Sequence, residues 1–187
     1  MQTARTVGVF VGSLRKESYS RRIANLLKTL APEILTLQII GIGDLPLYDP
    51  DLDDSAVPNA WTRFRQRVAV VDAVLFVTPE YNRSVPGALK NALDVGSRPY
   101  GANVWAGKPG AVVSLSPGAI GGFGANHHLR QSLVFLDVPT LQQPEVYLGR
   151  VDHLFDLSGD LTDEATRTFL ESFLVAFAEW IDTNVHA

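Results

Sequence analysis

VFVGSLRKESYSRRIANLL, residues 9–27, opens as a β-strand and closes as an α-helix. Thr6 to Val11 is a β-branched apolar run. Beyond it Ile23, Leu26, Leu27 and Leu30 recur at i, i+3, i+4 and i+7, the spacing of one helix face. Between the two lies a polar turn, Gly12-Ser13-Leu14-Arg15-Lys16-Glu17-Ser18-Tyr19-Ser20, holding three serines and two cations. A strand-to-helix connection needs only a few residues. This one is longer, and it raises the question of what it holds.

The rest of the chain repeats the alternation. Leu35, Leu37 and Ile39 alternate with Thr36 and Gln38, as in a half-exposed edge strand. LPLYDPDLDDSAVP, residues 45–58, reads as a loop leading into a helix with Trp61, Phe64 and Val68. A strand Ala73 to Thr78, a helix from about Pro86 to Val95 and a strand Ala111 to Leu115 follow. The glycine loop SPGAIGGFG, residues 116–124, precedes a helix with Leu129, Leu133 and Leu136 on one side. A short strand is expected near Thr140 to Gln142. A last helix is expected from Thr162 to Ile181, with Thr162 as its N-cap and Phe169, Phe173, Phe177 and Ile181 as a core stripe. No repeat or linker interrupts this order, so one domain spanning 1–187 is expected.

Five βα units in one domain imply an α/β fold with a parallel sheet covered by helices on both faces. Right-handed crossovers then give a doubly wound sheet of flavodoxin-like order, 2-1-3-4-5. Ligands in such sheets sit beyond the carboxyl ends of the strands. Three unusual loops share that edge: Gly12 to Ser20, Thr78 to Gly87 and Ser114 to Gly124.

Composition narrows the chemistry. The 187 residues are 46% hydrophobic and 19% charged, with net charge −4, an ordinary globular balance. Without a basic block or basic amphipathic helix, neither nucleic acid nor a membrane is an expected partner. The opening MQTARTVGVFVG has too short an apolar run for a signal peptide, so a cytoplasmic location is expected. The absence of cysteine excludes thiol and metal–thiolate chemistry, so a redox role needs an organic cofactor or another kind of metal site.

The first loop is neither a Walker A motif nor part of a Gly-x-Gly-x-x-Gly fingerprint. It does open a helix, where free N–H groups and the positive dipole end favour an anion. Ser13, Ser18 and Ser20 add hydroxyls, and Arg15 a guanidinium able to grip a phosphate through two bonds. The plainer alternative is that Ser18 or Ser20 only caps the helix while Arg15 and Lys16 are solvated. Three serines beside an arginine favour a phosphate monoester. In the second loop Pro79 restricts the turn, Tyr81 offers a wall for a flat ring, and Asn82 can both donate and accept. A simple turn with an exposed tyrosine accounts for it equally well. Gly118, Gly121, Gly122 and Gly124 would let the third loop's backbone approach a ligand.

Other clusters carry less. Adjacent His127 and His128 diverge by about 100° on a helix and cannot chelate as an i, i+4 pair could. Asp51, Asp53 and Asp54 read as a solvated turn rather than a metal cluster. No metal site is expected, and no serine–histidine–acid set argues for hydrolysis.

These motifs carry a resemblance. GSLRKES with Ser20, and TPEYNRSVPGALKNALD at residues 78–94, are similar to those of the NAD(P)H-dependent FMN reductases, a family that includes bacterial quinone, chromate and azo-dye reductases. The similarity continues through Ala106-Gly107-Lys108-Pro109, Gly121-Gly122 and His128 to Gln131, as far as Phe135-Leu136-Asp137. It implies FMN as cofactor, with Ser13, Arg15, Ser18, Tyr19 and Ser20 at the phosphate end. Pro79, Glu80, Tyr81, Asn82, Arg83 and Ser84 would lie against the isoalloxazine ring, and Ser116, Gly118, Gly121 and Gly122 would form a third contact segment. The chain departs from the family pattern at Val95, where relatives often have tryptophan, and at Gly124 and His127, where some have arginine and tyrosine.

The resemblance further implies hydride transfer from NADPH or NADH to the flavin and onward to a quinone or similar acceptor. The flavin carries the chemistry, so no catalytic side chain is assigned. It also implies a homodimer or homotetramer with Phe123, His127 and Glu145 in the contact segments. The rival reading is a flavodoxin-type electron carrier with no NAD(P)H oxidation of its own. A flavin-free phosphate or nucleotide sensor is a third.

Overall fold

The computed structural model describes residues 3–156 and 158–185. Five parallel strands, β1 (Arg5–Val11), β2 (Leu35–Ile39), β3 (Ala73–Pro79), β4 (Gly110–Leu115) and β5 (Val146–Leu148), form one sheet ordered β2-β1-β3-β4-β5. This is the flavodoxin-like order expected from the sequence. Among the described residues six α-helices surround it: α1 (Tyr19–Leu30), α2 (Pro50–Ser55), α3 (Asn59–Ala69), α4 (Gly87–Gly96), α5 (Phe123–Phe135) and α6 (Glu164–Asn184). Among the described residues no helix is long and apolar enough to cross a membrane.

The period of two along each strand divides the core into two layers. Val7, Val9, Leu75 and Val113 face Ile23 and Leu27 of α1 and Phe173 and Phe177 of α6. Phe10, Val74, Phe76 and Val112 face Trp61 and Phe64 of α3, Leu89 and Leu93 of α4, and Leu129 and Leu133 of α5. Each of these large side chains contributes about 1.5–3 kcal/mol by leaving water. Trp105 closes the second layer, its indole N–H donating to the Leu93 carbonyl at 3.1 Å. Val95, one of the departures from the family pattern, is fully buried in the same layer. β2 lies at the edge and alternates buried and exposed residues, as its sequence requires.

Five local expectations are corrected. The last strand lies at Val146–Leu148, not at 140–142. Thr140 makes only an isolated bridge to Gly110, because Pro139 and Pro144 lack the N–H groups a ladder needs. The Pro- and Asp-rich segment contains the short α2, capped by Asp49, whose carboxylate accepts the Asp51 N–H at 3.0 Å. Within it Asp53 is no solvated turn residue: it is held by Arg65 from α3. The N-cap of α6 is Asp163, which accepts the Thr166 N–H at 2.6 Å, while Thr162 turns back to the Leu154 carbonyl. On α6 the buried stripe includes Leu170 and Leu174 beside Phe173, Phe177 and Ile181, leaving Phe169 36% exposed at its margin.

Candidate functional site

The three loops emerge from the carboxyl ends of β1, β3 and β4, and parallel pairing brings them together. The Gly12 N–H donates to the Val77 carbonyl at 2.9 Å, carrying the β1–β3 ladder one step into the first loop. Ser13 is buried, and its Oγ accepts the Arg15 N–H at 3.4 Å, which rounds the turn. Ser18 is the N-cap of α1, accepting the Arg21 N–H at 3.2 Å. The capping alternative therefore holds for Ser18. It does not hold for Ser20, which is 1% exposed and whose buried hydroxyl has no hydrogen-bond partner among the described residues. A buried hydroxyl left unpaired costs about 1–3 kcal/mol, so its presence beside a cleft calls for a ligand to complete it.

Tyr19 stacks on Phe155 with ring centroids 6.2 Å apart, and the Arg22 guanidinium lies 5.7 Å from the Tyr19 ring centre. Arg15 is exposed and has no acidic partner among the described residues. The first-turn N–H groups of Tyr19 and Ser20 have no acceptor within α1, since helix starts leave such groups free.

In the second loop Tyr81 and Ser84 exchange reciprocal backbone hydrogen bonds at 3.0 Å across Asn82 and Arg83. Both intervening residues have positive φ, 50° and 64°, the geometry of a type I′ turn. Glu80 reaches α5, where its carboxylate accepts the Ala125 N–H at 3.1 Å. Ser84 meets His128 Nδ1 at 2.9 Å.

The third loop is fastened to β5. The Ser116 N–H donates to the Leu148 carbonyl at 3.0 Å, and the Arg150 N–H to that of Gly118 at 3.1 Å. Behind it the Ser114 hydroxyl donates to the Gly121 carbonyl at 2.8 Å, and the Asn126 amide donates to that hydroxyl at 3.1 Å. Gly121 has φ +58°, and a Cβ there would stand 2.6 Å from the Tyr147 carbonyl carbon. Only glycine fits.

One cleft collects Ser13, Arg15, Ser18, Tyr19 and Ser20 from the first loop, Pro79, Glu80 and Tyr81 from the second, and Ser116 from the third. Leu115 and Pro117 complete it, and sequence reading passed over both. Leu115 ends an apolar strand and is indistinguishable there from core. Asn82, Arg83, Ser84, Gly118, Gly121 and Gly122 are not part of this lining. They belong to the turn and the backing of the third loop.

The two histidines take part in packing rather than chelation. His127 Nε2 meets the Tyr147 hydroxyl at 3.1 Å, and its ring centre lies 4.2 Å from that of Phe123. Burial, then the hydrogen bond and charge of Glu145, push the Tyr147 hydroxyl up to about 12. Among the described residues no group of three or more His, Asp or Glu is placed to hold a metal.

The donor set fits FMN. One end offers buried hydroxyls, free amides and an unpaired guanidinium, the groups a dianionic phosphate takes. The other end offers proline and tyrosine surfaces with backbone beside them, suited to a flat ring with a polar edge.

Known proteins agree with that chemistry. A family model described as NADPH-dependent FMN reductase matches residues 5–153. A quinone reductase of Pseudomonas putida is 61% identical, with 98% of each chain covered. A 2-hydroxy-1,4-benzoquinone reductase of a Burkholderia species is 45% identical over 94% of this chain and 95% of that one. Among solved structures, FerB, a flavoenzyme NAD(P)H:(acceptor) oxidoreductase from Paracoccus denitrificans, superposes with a TM-score of 0.90 at 42% identity, covering 97% of this chain and 99% of that one. A chain that matches over this length and carries this loop constellation belongs to the NADPH-dependent FMN reductase family.

Proposed function

We propose that this protein is an FMN-dependent oxidoreductase that takes electrons from NADPH or NADH and delivers them to quinones. The observation that carries the reading is the buried Ser20 hydroxyl, without a partner among the described residues, in a cleft it shares with Ser13, Ser18 and Arg15. In that reading these four side chains and the first-turn amides of α1 hold the phosphate. Pro79, Glu80 and Tyr81 on one side, with Leu115, Ser116 and Pro117 on the other, border the ring. Asn82, Arg83 and Ser84 shape the turn beside it, and Gly118, Gly121 and Gly122 hold the third loop in place. When bound, FMN supplies the two-electron chemistry, and the protein supplies orientation and electrostatics.

The cleft, about 150 Å³, is smaller than the 300–1,000 Å³ usual for small-molecule clefts and cavities. A cofactor seated in it keeps part of its surface open to a second ligand, which supports donor and acceptor using the site in turn. The same openness supports a wider acceptor range, including chromate, azo compounds, ferric complexes and free flavin. A flavodoxin-type carrier fits less well, since an unpaired arginine in the phosphate loop is foreign to a loop of threonines and backbone amides.

The whole chain, 1–187, acts in this proposal as one FMN-binding domain. Its location is cytoplasmic, where nicotinamide nucleotides are available. It works as a homodimer or homotetramer, supported by the half-exposed Phe123 beside His127, and light scattering at only the 20.4 kDa of one chain would remove that part. The visible spectrum of the purified protein tests the core of the proposal. A yellow protein with a flavin spectrum that releases FMN on denaturation supports it, and a protein that stays colourless after FMN is added overturns it.

A further inference from the structure

α5 begins without a side-chain cap of its own. Its N-cap is Gly122 at φ +75°, whose carbonyl accepts the Asn126 N–H at 3.0 Å but which has no side-chain oxygen for the amides before it. The missing acceptor comes from another element. Glu80, the residue directly after β3, places one carboxylate oxygen 3.1 Å from the N–H of Ala125, the third residue of α5. A carboxylate at this end also complements the helix dipole. Its second oxygen lies 3.6 Å from the Arg83 guanidinium, and the side chain is only 12% exposed.

Glu80 therefore touches both the 81–84 turn, at Arg83, and α5, at Ala125. Asn82 and Arg83 hold two consecutive left-handed conformations without a glycine, which neighbouring contacts must maintain. Those contacts are the Glu80 carboxylate and, one turn further along α5, the Ser84–His128 hydrogen bond at 2.9 Å. Gly124 makes the approach possible. A Cβ there would stand 2.7 Å from the Arg83 carbonyl oxygen and 2.9 Å from the Glu80 carboxylate. The absence of a side chain at 124 is what lets the second loop lie against α5.

Resting on the FMN reading of the cleft, we infer that Glu80 is a positioning residue. Its carboxylate supplies the side-chain acceptor that Gly122 lacks at the start of α5 and thereby holds the 81–84 turn in the conformation that presents Tyr81 to the cofactor. The carboxylate acts through the turn and the helix, and its binding partners are protein groups.

The test compares Glu80→Ala, Glu80→Gln and Gly124→Ala with the wild type. FMN dissociation constants are measured by flavin-fluorescence quenching on apoprotein, and hydrogen exchange is followed at the Ala125 amide. Glu80→Ala is expected to weaken FMN roughly five- to tenfold and to speed Ala125 exchange by a similar factor, the scale of a lost cap. Glu80→Gln keeps an acceptor oxygen and recovers most of both. Gly124→Ala, which pushes the same contact apart from the helix side, weakens FMN while Glu80 is intact. Faster Ala125 exchange with FMN affinity unchanged in both alanine variants would reduce Glu80 to a helix cap and overturn the inference. Wild-type apoprotein that does not bind FMN overturns the underlying reading instead, and the two failures are distinct.

Discussion

Asp53 and Arg65 meet in a two-pronged ion pair, Nη1 to Oδ1 at 2.8 Å and Nη2 to Oδ2 at 2.7 Å, with side chains 4% and 13% exposed. The Arg65 Nε also donates to the Val95 carbonyl at 2.9 Å, so one guanidinium ties α2, α3 and the end of α4 together. Removing one partner of a buried pair leaves a charge without compensation, at a cost of about 3–5 kcal/mol. Asp53→Ala should therefore lower the thermal unfolding midpoint by roughly 10 °C for a chain of this size. A shift under about 2 °C in scanning calorimetry would show that water already screens the pair.

That pair also shows where sequence reading ends. Asp53 and Arg65 lie 12 positions apart with no periodic pattern linking them, so an aspartate in a Pro-rich stretch reads as solvated. β1, β3 and β4 were legible because strands buried on both faces are continuous apolar runs. β5, only three residues long beyond Pro144, offered no such run. In the site, the first loop was readable because its serines and arginine are crowded into nine residues. Glu80's partner was not, because Ala125 is a backbone amide 45 positions away and leaves no mark on the sequence.

Ser20 and Ser18 should respond in opposite ways to loss of the hydroxyl. Ser20 Oγ has no partner among the described residues, so Ser20→Ala leaves apoprotein stability unchanged or slightly raised while weakening FMN by about 1 kcal/mol. Ser18 caps α1, so Ser18→Ala lowers apoprotein stability by about 1 kcal/mol. Urea unfolding of apoprotein paired with FMN titration separates the two. Equal loss of apoprotein stability in both variants would mean that Ser20 has an internal role and does not await a ligand.

Arg15 should matter only to the ligand. It is exposed and makes no ion pair among the described residues, so Arg15→Ala has nothing in the fold to disturb. Loss of a charged contact to phosphate should weaken FMN by about 1.5–3 kcal/mol. Retention of FMN at wild-type affinity would return Arg15 to a solvated surface residue.

Tyr147 sets an alkaline limit. Its hydroxyl is pushed up to about 12, first by burial and then by Glu145, whereas an unfolded tyrosine ionises near pH 10. A raised folded-state value means the folded protein holds the proton longer, so this contribution is complete below about pH 10. It is then lost as pH rises toward 12, because the unfolded chain ionises first. Unfolding midpoints measured from pH 9 to 12 should fall more steeply for the wild type than for Tyr147→Phe. Parallel curves would assign the alkaline loss to other groups.

Enzyme and carrier differ in which face of the cofactor the protein leaves free. Hydride transfer requires the nicotinamide carbon to come within about 3–3.5 Å of the accepting atom, so a reductase needs an open approach to the ring. In the proposed site the surfaces beside the ring would be Pro79, a half-exposed Tyr81 (48%) and Pro117, which line a cleft of about 150 Å³. A carrier exchanging single electrons gains by covering its ring and has no need of such access. Anaerobic NADPH or NADH should therefore bleach the bound flavin in one two-electron step, and a quinone added afterwards should restore the oxidised spectrum. The order of addition matters, because donor and acceptor using one open face cannot bind together. Initial rates at several fixed quinone concentrations should accordingly give parallel double-reciprocal lines. Flavin that neither nicotinamide nucleotide bleaches, in protein that dithionite reduces fully, would leave the fold and the FMN cleft standing but would end the assignment as a reductase.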